Sequence, residues 1–272
     1  MARHRKGNAH SPTLPRHRDR VTRIVAASVI VADVAACIAI AIAMVLYPGG
    51  TGEHPHLVGH AFWENVLCDL AQPIAFNGQP NDAARPFAQF GTALVFLAGG
   101  LTNLLAPVVI DDARAARLGR RFGVLGALAA VFLPAFPSEL YPLMHSLVVL
   151  LAGPFTLTAC VFWVGGLRRS RSAPMHLRWL SMGLAASTAL AFFAWVGWFA
   201  RMGIERSAGS DTAFPAMFVA PLQRVALIGF VIWIAEVGRI AFAVAPPLSQ
   251  AARVGESQPA TRRRVGRGAT RA

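Results

Sequence analysis

Hydrophobic positions along the chain fall into six long runs separated by short polar segments. The runs cover residues 21–47, 86–110, 122–136, 141–167, 179–202 and 219–244. A bilayer's hydrocarbon core, roughly 30 Å thick, needs about 20 apolar residues at a rise of 1.5 Å each. The third run is the shortest, closed by Pro134 and Pro137. It reads as one half of a helical hairpin with the fourth, both halves being full spans. The pattern predicts an all-α polytopic membrane protein, a bundle of six transmembrane helices. The first run is too long for the apolar region of a signal peptide and has no convincing cleavage site, so it reads as a retained first span.

The basic residues crowd every second loop. Arg3, Arg5, Lys6, Arg16, Arg18 and Arg20 precede the first span, and Arg114, Arg117, Arg120 and Arg121 lie between the second and third. Arg168, Arg169, Arg171 and Arg178 separate the fourth from the fifth, and Arg253, Arg262, Arg263, Arg264, Arg267 and Arg271 follow the sixth. The other loops hold only Arg85, Arg201 and Arg206. By the inside-positive rule both termini are cytoplasmic and the number of spans is even. The expected location is the bacterial inner (plasma) membrane.

Charge and composition change the picture little. A net charge of +13 would point to nucleic acid in a soluble protein. Here the excess lies in loops and tails beside the membrane, so membrane lipids are the expected partners, not nucleic acid. Residues 1–20 and 247–272 read as disordered basic tails flanking one domain, 21–246. Cys37 and Cys160 fall within spans and Cys68 in an outer loop, which implies no disulfide framework. Ala and Gly in the first two spans suit close helix packing in lipid.

The first outer loop carries the candidate chemistry. From His60 to Ala71 the pattern has helical periodicity, with Asn65, Asp69 and Gln72 on one face and Trp63 at headgroup level. This predicts a short interfacial helix, followed by turns at Asn77-Gly78 and Pro80-Asn81. Glu139, His145, Gln223 and Arg224 belong to other segments at the same end. A polar cavity lined by Asp69, Glu139, His145 and Arg224 is one reading, open to a lipid or a partner. The other is that Asp69 and Arg224 only tie the loop to the bundle.

The order of these residues resembles a known family. Asn65-Val-Leu-Cys-Asp69-Leu is followed by Asn81 ahead of a span containing Phe87. Then come Phe136-Pro137 with His145, and Gln223-Arg224 with Trp233 downstream. The series is similar to the bacterial domain-of-unknown-function 998 family of multi-span membrane proteins. Cys68 stands where that family's pattern has Ser, and Ala71 where it has Gly. The resemblance implies a membrane-embedded helical fold and no defined activity.

Metal and transport chemistry have weaker carriers. His54, His56 and His60 form a His-x-His-x-x-x-His run after Gly49-Gly50-Thr51-Gly52. With His145 or Asp69 they would supply ligands for zinc, and hence for a metal-dependent lipid hydrolase. The plainer reading is a solvated loop, and no cofactor is indicated. Asp33 lies in mid-span in the first run, and Glu236 and Arg239 lie in the sixth. They would serve a proton-coupled transporter, or form helix contacts. No nucleotide-binding loop or nucleophile elbow is present. The sequence therefore favours a non-enzymatic membrane protein with a polar outward-facing site.

Overall fold

The computed structural model describes residues 15–207 and 218–245. Its long helices are α1 (Pro15–Leu46), α2 (Arg85–Leu104), α4 (Ala113–Ala130), α5 (Pro142–Arg169), α6 (Met175–Ser207) and α7 (Val219–Val244). A short helix, α3 (Ala106–Val109), follows α2. Among the described residues, six segments are long and apolar enough to cross a membrane. The chain is a multi-pass integral membrane protein built as an all-helical bundle. Around the bundle α1 neighbours α2 and α7, α2 neighbours α4, α4 neighbours α5, α5 neighbours α6, and α6 returns to α7. The third and fourth spans form the hairpin that the short third run suggested.

The helices bury small residues against each other and present large ones outward. On α1, Ala26, Val29, Asp33, Ala36, Ile40 and Ala43 are buried, with Ala39 beside them, a three–four spacing that makes one continuous seam. The opposite face exposes Val31, Val34, Ile38 and Val45. So much open apolar surface is unfavourable in water and natural against lipid tails. Small residues set the interhelical distance. A Cβ on Gly99 would lie 2.4 Å from the Phe230 ring, and one on Gly123 would lie 2.0 Å from Asn103 Oδ1.

At one end of the bundle these close approaches enclose a polar-linked aromatic core. Trp163 Nε1 donates to Asn103 Oδ1 at 2.8 Å, and Trp233 Nε1 donates to Ser181 Oγ at 3.0 Å. The two indoles meet edge-to-face at 4.8 Å. Each buried N–H thus has a partner, as a site without water requires. The contacts link α2, α5, α6 and α7.

Two boundaries differ from the sequence reading. Arg114, Arg117, Arg120 and Arg121 lie on the first turns of α4, not in a loop, because the helix starts at Ala113 with Asp112 as its cap. Asp112 Oδ1 accepts from the N–H groups of Arg114 and Ala115 at 3.0 Å each, which satisfies otherwise orphaned donors. Likewise α1 starts at Pro15, so Arg16, Arg18 and Arg20 extend it. Residues 1–14 and 246–272 lie outside the described residues. The arginine-rich segments gather at one end of the bundle, called here the arginine end. The segment between α1 and α2 caps the other, the loop end.

Candidate functional site

The cap at the loop end spans residues 47–84 and owes its form to side chains that replace helical hydrogen bonds. Asn65 Oδ1 accepts from the Ala61 N–H at 3.0 Å, and Asp69 Oδ2 accepts from the Val66 N–H at 2.8 Å. Such local bonds compete with a continuous helix. The interfacial helix is therefore shorter than its periodicity implied, a single 3₁₀ turn at Leu67–Ala71. Asn65 Nδ2 also donates to the Gly50 carbonyl at 2.9 Å and to Asp69 Oδ2 at 3.3 Å. Asn81, fully buried, donates through Nδ2 to the carbonyls of Leu70 and Gln72, both at 2.9 Å.

Gly49 and Gly50, ahead of the histidine run, are packing elements. Gly49 and Gly50 have φ of +137° and +85°, a region that favours glycine. A Cβ on Gly50 would lie 2.6 Å from the Asn77 nitrogen. Tyr47, Leu67, Leu70, Ala71 and Ala75 then form the cap's own apolar core against Ile40, Ala43 and Ala88 of the bundle.

Arg224 joins this cap to α7. Its side chain is fully buried. Nε donates to the Phe62 carbonyl at 3.0 Å and Nη2 to the Asn65 carbonyl at 3.0 Å. Nη2 also lies 3.1 Å from His60 Nε2. A guanidinium has only donors, so His60 must be unprotonated at Nε2. Burial and the neighbouring Arg224 agree, lowering the His60 pKa to about 4. Next to Arg224 on α7, Gln223 Oε1 accepts from the Leu67 N–H at 2.6 Å.

Asp69 lies within the electrostatic reach of Arg224 but forms no ion pair with it. Burial pushes its carboxyl up to about 6, opposed by the Asn65 and Val66 hydrogen bonds and by Arg224. Burial likewise pushes the Cys68 thiol up to about 12, so it is a poor nucleophile at neutral pH. The α4–α5 turn is fastened separately. Gln72 Nε2 donates to Ser138 Oγ at 2.6 Å, and the Glu139 N–H donates to Gln72 Oε1 at 3.3 Å. His145, buried, bonds through Nδ1 to the Phe136 carbonyl at 2.8 Å. Asp69, Glu139, His145 and Arg224 thus share one end of the molecule with no hydrogen bond or ion pair among them.

The histidines are dispersed. His54 Nδ1 meets Glu64 Oε2 at 3.1 Å, His56 is exposed, and His60 faces Arg224. Among the described residues no group of three or more His, Cys, Asp or Glu is arranged to hold a metal ion. Two of the three deep charges meet each other. Glu236 bonds to Arg239 at 2.7 Å and His176 at 2.5 Å, at the arginine end. Asp33 is buried in α1, and its Oδ1 has no hydrogen-bond partner.

Sequence reasoning missed two members of the loop-end network. Tyr47, whose hydroxyl accepts from the Phe76 N–H at 3.4 Å, looked like the last residue of a span. Ser138 had no signal beyond its place in a turn. No protein-family model, curated protein or solved structure matches the chain.

Proposed function

We propose that this is a non-catalytic protein of the bacterial inner membrane, with its arginine end in the cytoplasm and its cap facing outward to bind a lipid or a protein partner. Membership of the domain-of-unknown-function 998 family is part of that reading, supported by the order of Asn65, Asp69, Asn81, His145, Gln223 and Arg224 along the chain. The observation that carries the binding role is how Arg224 is used. Its buried guanidinium holds loop carbonyls, so the polar cluster acts as a frame for the cap. That frame presents Leu57, Val58, Phe62, Trp63, Ile74 and Phe76, all exposed. An apolar patch on a braced loop is a recognition surface for lipid or protein. The alternation of arginines supports the orientation.

The test is a photo-crosslinking residue placed at Val58 or Trp63 in cells. A defined lipid or protein adduct that is absent from a probe at lipid-facing Val31 is the expected result. Folded protein yielding no specific adduct at either cap position would end the proposal.

Proton-coupled transport is the second reading, favoured by the unpartnered carboxyl oxygen of Asp33. A carboxylate in mid-membrane is expensive and is commonly kept for proton or ion movement. Transport that survives Asp33→Asn unchanged would dispose of it. The metal-dependent hydrolase draws no support from the dispersed histidines.

A further inference from the structure

The loop between α5 and α6, at the arginine end, borders a cavity of about 240 Å³ lined by Arg168, Met175, Arg178, Trp179 and Met182. Four of these residues follow the i, i+3, i+4, i+7 pattern on α6 and so form a single stripe. Arg168, in the last turn of α5, faces them across the cavity. Both helices end here, so the cavity lies at the boundary between acyl chains and headgroups.

Among the described residues, no carboxylate neutralises the charge in this cavity. Asp112 is engaged by Arg169 at 3.0 Å, and Glu236 by Arg239 and His176. Asp111 accepts from Ser172 Oγ at 2.8 Å and from the Arg171 N–H at 2.9 Å. Arg168 has no ion-pair partner among the described residues. The Arg178 guanidinium is pinned through Nη2 to the Ser170 carbonyl at 2.6 Å, while its Nε is buried with no partner. Beside these cations, Met175 and Trp179 are more than 60% exposed (62% and 63%). Guanidinium matches phosphate oxygens with paired donors. Tryptophan favours the headgroup level, and methionine adapts to flexible chains.

From this geometry we infer that the cavity is a specific binding site for an anionic phospholipid of the leaflet at the arginine end. The headgroup phosphate sits between Arg168 and Arg178, and an acyl chain runs along Met175, Trp179 and Met182. Charge complementarity selects an anionic headgroup, and the apolar stripe selects a lipid over a free anion.

The experiment is native mass spectrometry of the full chain in mild detergent, titrated with phosphatidylglycerol or with phosphatidylcholine of the same acyl chains. Wild type is expected to bind the anionic lipid about tenfold more tightly. The Arg168→Gln/Arg178→Gln variant loses that preference, whereas Arg117→Gln/Arg120→Gln, which removes equal charge from the exposed face of α4, keeps it. Trp179→Ser weakens both lipids alike. Arg178 also fastens the loop, so Arg168→Gln alone serves as the second variant and lowers the preference by severalfold. The site is overturned if the α4 variant loses the preference equally, if Arg168→Gln leaves it intact, or if millimolar inorganic phosphate displaces the lipid.

Discussion

Replacing Arg224 by Met tests whether the guanidinium latches the cap to α7. Methionine keeps an unbranched apolar stem, so packing changes little while the donors to Phe62 and Asn65 vanish. Hydrogen bonds to a charged group contribute about 1.5–3 kcal/mol each, roughly 3–6 kcal/mol for two. Part of this is offset, because the closed cap no longer has to desolvate a guanidinium. A net loss of about 2–3 kcal/mol remains, equivalent to roughly 30- to 150-fold in the opening equilibrium of the cap. Cys68 reports that opening, since its thiol is half-buried and scarcely ionised when the cap is closed. With Cys37 and Cys160 replaced by alanine, maleimide modification of Cys68 in detergent should accelerate by about that factor in Arg224→Met. Arg224→Lys should fall in between, because an ammonium keeps the charge but cannot span both carbonyls with a planar fork. Folded Arg224→Met protein whose Cys68 reacts within about twofold of the wild-type rate would refute the latch.

Three further outcomes follow from the same contacts. Asp69, raised to about 6 from 3.8, makes the cap less stable as pH rises from about 4 to 6, by up to about 3 kcal/mol. His60, lowered from 6.5 to about 4, makes it more stable over nearly the same window, by a comparable amount reduced by partial exposure. His60→Gln should therefore melt lower at pH 6.5 than at pH 4.5, and Asp69→Asn the reverse; parallel profiles would contradict the assignment. Gly123→Ala drives a Cβ into Asn103 and breaks its bond to Trp163, for a loss of about 2–4 kcal/mol read as a lower thermal midpoint. Asp33→Val removes an unpartnered buried carboxyl and should raise the midpoint, corresponding to about 1–3 kcal/mol; a lower midpoint would mean that Asp33 has a stabilising partner.

Spans were legible in the sequence because their signal is long-range and redundant. A helix in lipid must be apolar over some 20 residues whatever it packs against, and 20 of the 26 basic residues repeat the alternation. Helix starts were less legible, since Asp112 caps α4 ahead of its arginines and nothing in hydropathy marks where a charged first turn becomes helical. In the cap, Asn65, Asp69 and Gln72 have helical spacing for a different reason. Asn65 and Asp69 are spaced to take backbone N–H groups at turns, and Gln72 reaches across to the α4–α5 turn. Arg224 stood out as a basic residue at the arginine-poor end. Its partners did not, because backbone carbonyls of Phe62 and Asn65 carry no side-chain signature. Trp233 appeared only as part of a motif, and its place in the aromatic core depends on three other helices.

The functional account depends most on which side of the membrane the cap occupies. In a background with Cys37, Cys68 and Cys160 replaced by alanine, single cysteines at Val58→Cys, 93% exposed at the loop end, and at Ser172→Cys, at the arginine end, should be treated with an impermeant maleimide in intact cells. The predicted result is labelling at position 58 at once and at position 172 only after the membrane is permeabilised. Labelling of position 172 in intact cells, with position 58 protected, would place the cap in the cytoplasm and contradict the account.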